Sequence, residues 1–103
     1  MFTGNENHRI SLSEAAAMTK TYRKSVPLGS RIGGFFGRAA IEELLAQEGC
    51  VGIRFYHAIN ADGQHEIVLV AADANENDLY QGVLMDFSEP CPTRCSQSNP
   101  LNS

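Results

Sequence analysis

No apolar run in this 103-residue chain approaches the roughly 18 residues that a helix needs to cross a membrane. The first ten residues, MFTGNENHRI, lack the basic and apolar segments of a secretory leader, so a cytoplasmic location is expected. Basic residues are scarce: 8 Lys and Arg stand against 12 Asp and Glu, for a net charge of −4. A phosphate-binding surface needs a local basic excess. The one basic cluster, Lys20, Arg23 and Lys24, falls at the end of a predicted helix, where cations offset the negative end of the dipole. Neither nucleic acid nor membrane is therefore an expected partner. Cysteines number only three, and a reducing cytosol would keep them as thiols. Nucleotide signatures are missing as well. RIGGFFGR places glycines before a helix, where backbone N–H groups can cradle phosphate beside Arg31 and Arg38. Yet it matches neither G-x-x-x-x-G-K-[ST] nor G-x-G-x-x-G. Its glycines read as a tight connection, with Phe35 and Phe36 as core anchors.

What is present describes a small folded domain. Hydrophobic residues make up 43% and charged residues 19%, a globular balance, and the length suits one domain. Ser11 and Glu14 have the spacing of a capping box, and three alanines follow, which predicts a helix over 12–24. Val26-Pro27 ends it, because the residue before proline is pushed out of the α region. Gly37 reads as the N-cap of a second helix over 38–47, with Ile41, Leu44 and Leu45 inward and Gly49 as the stop.

Two β-rich runs then flank Asn60-Ala61-Asp62-Gly63, which suits a type I turn closed by a left-handed glycine. That turn pairs Asn60 with Gln64, Ile59 with His65, His57 with Ile67, Phe55 with Leu69 and Ile53 with Ala71. Ile53, Phe55, Ile59, Ile67 and Leu69 share one face. Arg54, Tyr56, Ala58, Glu66, Val68 and Val70 share the other. A third strand is predicted in GVLMDFS, with Val83, Met85 and Phe87 on one face, and the segment after it reads as extended or coiled. The expected architecture is α+β: two helices packed on a three-stranded antiparallel sheet, in the order helix, helix, strand, strand, strand. The expected boundaries are a flexible N-terminus at 1–9, one domain at 10–90 and a proline- and cysteine-containing tail at 91–103.

Three constellations could carry chemistry. Asp73-Ala-Asn75-Glu-Asn77-Asp78 resembles the start of a calcium loop. The glycine position is Asp78, however, and the twelfth position is Leu84 where a bidentate Glu belongs. A turn held by its own Asx side chains is the simpler reading. His57 and His65 fall close together at one end of the hairpin, as metal ligands, a general base or packing residues. No nucleophile is placed beside them, so packing is preferred. Cys91 and Cys95, in EPCPTRC, have a spacing that zinc ligands use, but a closed site needs four ligands. The C-x3-C spacing also excludes a thioredoxin-type pair. Three readings remain, in order: a proline-fixed turn, a disulfide, and a metal site on Cys91 and Cys95. Cys50 begins an apolar strand and reads as a small packed hydrophobe.

GCVGIRFY, DANENDL and PCPTRC followed by NPLNS resemble a group of short uncharacterised bacterial proteins of about this length, over most of the chain. The resemblance implies a bacterial, self-contained domain and brings no activity, ligand or catalytic residue with it.

Function is expected to lie in interaction. Tyr56, Ala58, Val68 and Val70 form a second sheet face too apolar to leave in water. Arg54, Tyr56, Val68 and Val70 are therefore the candidate interaction face of a non-enzymatic, homo-oligomeric module, dimeric or higher, with no cofactor. The rival is a thiol or metal module on Cys91 and Cys95; zinc and calcium are the metals their patterns suggest.

Overall fold

The turn Asn60-Ala61-Asp62-Gly63 sets the centre of the fold. Residues 1–103 are described by a computed structural model. Gly63 sits at φ 78°, and its N–H donates to the Asn60 carbonyl at 3.0 Å. Asn60 Oδ1 accepts from the N–H groups of Asp62 and Gln64 at 2.9 and 3.0 Å, so one side chain stitches both sides of the turn. The turn joins β2 (Cys50–Ile59) to β3 (His65–Asp73), antiparallel. The register is the expected one: Ile53↔Ala71, Phe55↔Leu69, His57↔Ile67 and Ile59↔His65. A bulge between Cys50 and Gly52 leaves Val51 outside the ladder.

β3 is the central strand. β4 (Leu84–Met85) pairs on its far side as Leu69↔Met85 and Val70↔Leu84, giving the order β2-β3-β4. The third strand is thus shorter than its apolar alternation predicted. Phe87 takes φ 54° and is 91% exposed, so the chain turns and the shared face of Val83, Met85 and Phe87 is lost.

α2 (Arg38–Leu45) begins at Gly37 and packs on β2 and β3. Leu44 is fully buried, and it joins Leu69, Val70, Ala71 and Ala72 in the core. Leu45, expected inward, is half exposed, because it lies about 100° round the helix from Leu44. Gln47 Oε1 accepts the Val83 N–H at 2.8 Å and so ties the end of α2 to the approach to β4.

Backbone contacts divide the chain into two compact units. The first comprises Met1–Glu6 and Phe36–Ser88 and holds the three-stranded sheet and α2. Its N-terminal residues are anchored: the Phe2 N–H donates to the Ala74 carbonyl at 3.0 Å, and Met1 N lies 3.2 Å from Glu76.

The second unit comprises Asn7–Phe35 and Glu89–Ser103. These limits differ from the expected boundaries, since helix α1 (Leu12–Ser25) belongs with the tail. Its capping box is formed, with Ser11 Oγ accepting the Glu14 N–H at 3.1 Å and Glu14 accepting the Ser11 N–H at 3.4 Å. No α1 residue is fully buried. Two strands not anticipated from the sequence, β1 (Gly33–Phe35) and β5 (Glu89–Cys91), pair antiparallel as Gly33↔Cys91, Gly34↔Pro90 and Phe35↔Glu89. The glycine-rich connection therefore spends its backbone groups on a ladder. Arg23 reaches the tail and donates to the carbonyls of Leu101 and Ser103 at 2.6 and 3.0 Å.

Candidate interaction surface

The two faces of the hairpin have different fates. Arg54 and Tyr56 lie two apart on β2 and project from the same face. Asp78 arrives beside them because it bridges Ala72, on the next strand over. Its two carboxylate oxygens are divided: Arg54 Nη1 lies 2.5 Å from Oδ1, and the Tyr56 hydroxyl donates to Oδ2 at 2.5 Å. Arg54 also donates to the Glu76 carbonyl at 3.1 Å, and its guanidinium stands 5.7 Å from the centroid of the Phe2 ring. The Tyr56 hydrogen bond, with Arg54 assisting against desolvation, holds the Asp78 carboxyl below its usual range. The same bond to Asp78, with burial, pushes the Tyr56 phenol above its usual range, and Arg54 is raised by its bond to Asp78. This clamp fastens the 73–78 loop to β2.

The expected interaction face is consequently mostly occupied. Val70 is 2% exposed and Val68 half-buried, while Arg54 and Tyr56 are committed to Asp78. Only Tyr56, 48% exposed, presents much surface there. The more open surface is on the opposite face, at Phe55 (58% exposed) and Ile59 (76%). His57 and His65 are brought together as expected, with Nδ1 of His57 3.1 Å from Nε2 of His65, and Phe55 meets His57 edge-on at 5.5 Å. They pack on each other and on Phe55 at the exposed end of the hairpin.

The calcium-like loop closes on its own backbone. Asp73 Oδ1 accepts the N–H groups of Asn75 and Asn77, each at 2.9 Å, and Asp78 is held in the clamp. Cys91 and Cys95 form a disulfide with their Cα atoms 4.8 Å apart, so neither sulfur is a thiolate ligand in this state. Cys50 is a free thiol, half-buried, 3.2 Å from the Gly52 carbonyl. No group of three or more His, Cys, Asp and Glu side chains is arranged to hold a metal ion. No helix is long and apolar enough to cross a membrane.

Cavities open to solvent lie in both units. One, of about 480 Å³, lies in the first unit beside Gln47, Glu48, Tyr80 and Gly82. Another, of about 200 Å³, lies in the second unit beside Met18, Tyr22, Ile32 and Leu101. The linings of these two bring no nucleophile together with a base. No family model matches the chain, and no curated protein or solved structure matches it.

The clamp is the arrangement that sequence reasoning missed. The signal available was the Arg54-x-Tyr56 alternation on one strand face, which leaves a cation and a phenol asking for an acid. Nothing in the spacing singled out Asp78 from the other acids of its loop.

Proposed function

We propose that this chain is a non-enzymatic interaction module that associates with itself. The observation that carries the reading is the set of large side chains left open on β2, Phe55 and Ile59 on one face and Tyr56 on the other. Exposed apolar residues scattered singly need no explanation, but three of them flanking both sides of an edge strand suit a contact surface. The surface differs in emphasis from the face expected from the sequence, since Val68 and Val70 contribute little to it. Light scattering across a wide concentration range tests the proposal. The average mass should rise from one chain toward two with concentration. A single-chain mass throughout refutes it.

The Cys91–Cys95 bridge favours a second reading, a thiol–disulfide module in the second unit. Cys95 is exposed, and accessible disulfides are the labile ones that exchange with small thiols. A persistent bridge also fits an oxidising compartment better than the cytoplasmic setting suggested by composition. Trapping the thiols with an alkylating agent in intact cells decides this point: one reactive cysteine supports the bridge, and three return the chain to a reducing compartment.

A further inference from the structure

The outer edge of β2 carries the open hydrogen-bonding positions of the sheet. The phase of its ladder is fixed independently at both ends. The Asn60 N–H donates to the Gln64 carbonyl at 2.9 Å, which makes 60/64 a hydrogen-bonded pair from which the antiparallel alternation counts back. The Leu79 N–H donates to the Ala71 carbonyl at 2.9 Å, so that carbonyl points away from β2 and Ile53↔Ala71 is a non-hydrogen-bonded pair. Both observations place the N–H and C=O groups of Ile53, Phe55, His57 and Ile59 on the side of β2 away from β3. No strand lies on that side. Between Phe55 and Ile59 the edge has neither a proline nor a charged residue, the usual devices that keep an edge from pairing.

We infer that a second copy of this chain docks on this edge, β2 against β2, antiparallel about a two-fold axis. The inference rests on the self-association reading above and names its surface and register. An axis through the pair of Tyr56 residues sets Ile53 opposite Ile59 and Phe55 opposite His57. Every outward N–H and C=O from Ile53 to Ile59 then has a partner. Arg54 falls opposite Ala58, so no like charges face each other. The pairing stops short of Val51, whose carbonyl is already met by Gly4, where an added Cβ would come within 2.8 Å. The occupant is a second copy because this strand complements itself: the same patch serves both partners, as a two-fold interface requires.

The area sets the strength. Phe55 and Tyr56, each about half exposed, offer ~100 Å² apiece from aromatic side chains of 150–250 Å². With Ile59, and counting both faces of the strand, they amount to a few hundred Å² per copy, below the ~800 Å² per partner of a standard stable interface. The dimer is therefore reversible, held by main-chain bonds and populated only in concentrated solution.

Residue-resolved amide hydrogen exchange, measured on dilute and concentrated protein beside sedimentation, tests this. As the mass passes from one chain to two, the amides of Ile53, Phe55, His57 and Ile59 gain protection. Those of Arg54, Tyr56 and Ala58, already bonded to β3, do not change. His57→Pro removes an outward donor and spares the ladder to β3, and Phe55→Lys places a charge on the edge without constraining the backbone. Each weakens dimerisation by about tenfold or more, and the second variant keeps the test alive where the proline disturbs the fold. A two-chain mass with the four outward amides unprotected, or with both variants dimerising like the wild type, overturns the edge and leaves self-association standing. A single-chain mass at every concentration overturns both.

Discussion

Replacing Gly63 with valine isolates the energetic value of one backbone angle. Gly63 closes the β2–β3 turn at φ 78°, in the left-handed region. A Cβ built there meets no atom within 4 Å, so the site has open space around it. The cost is then chiefly local: the Cβ of an L-residue crowds its own carbonyl in this conformation, at roughly 1–2 kcal/mol, and a β-branched residue stands at the upper end. In a domain of this size each kcal/mol moves the thermal midpoint by about 4–8 °C, so Gly63→Val should lower it by about 5–15 °C. Gly63→Asn should recover much of that loss, because asparagine tolerates the left-handed region. Gly52→Ala is the control. Its Cβ also meets nothing within 4 Å, but its φ is not positive, so the midpoint should hold or rise. Thermal unfolding followed by circular dichroism reads all three. A Gly63→Val protein that melts with the wild type, or a Gly52→Ala loss of the same size, would refute the argument.

Leu44→Ala empties the one large side chain that is fully buried, and it should cost about 2–5 kcal/mol in urea unfolding. Asp78→Asn should bring the Tyr56 phenol back down toward its ordinary range, read by ultraviolet titration of tyrosinate, since the bond to Asp78 is the leading cause of its elevation. In the wild type the clamp's contribution is bounded on both sides. The Asp78 share is lost as pH falls through its depressed pKa, and the Tyr56 share as pH rises through its elevated one, so the sheet unit should be most stable between the two. Unreduced, denatured protein should titrate a single thiol, that of Cys50. The paired change Cys91→Ser, Cys95→Ser should then cost about 2 kcal/mol, the closure entropy of so short a loop.

The hairpin was legible because two independent signals agreed. Asn60-Ala61-Asp62-Gly63 specifies a turn, and the period-2 alternation on either side accepts only one register without mixing faces. The capping box of Ser11 and Glu14 was equally plain, being local and reciprocal. What escaped depended on distant partners. Gly33-Gly34-Phe35 has no alternation and low strand propensity, and it becomes a strand only because Glu89–Cys91 is there to pair with it. The truncation of β4 had no signal at all, since Phe87 is not a residue from which a positive φ is expected. The exposure of the expected interaction face was not legible for a different reason. Alternation separates the two faces of a sheet but does not say which one the remainder of the chain will cover. Here Asp78 holds Arg54 and Tyr56, the core takes β3 on both of its faces, and Phe55 and Ile59 on β2 stay exposed.

The two-residue length of β4 limits how far such a protein can grow. A sheet that offers two long edges can add neighbours at both and continue without end, which is the geometry of a fibre. In this one the longest unpaired edge is that of β2, ten residues long. At the opposite border the chain turns away at Phe87 after a single step, leaving too little backbone for another strand to grip. In the proposed dimer the joined sheet would end on each side at a two-residue β4, which offers a third molecule little to pair with. If β2 pairs as proposed, an exposed apolar strand that would otherwise be an aggregation hazard would favour a finite assembly, and the safeguard would lie on the far side of the sheet from the surface it protects.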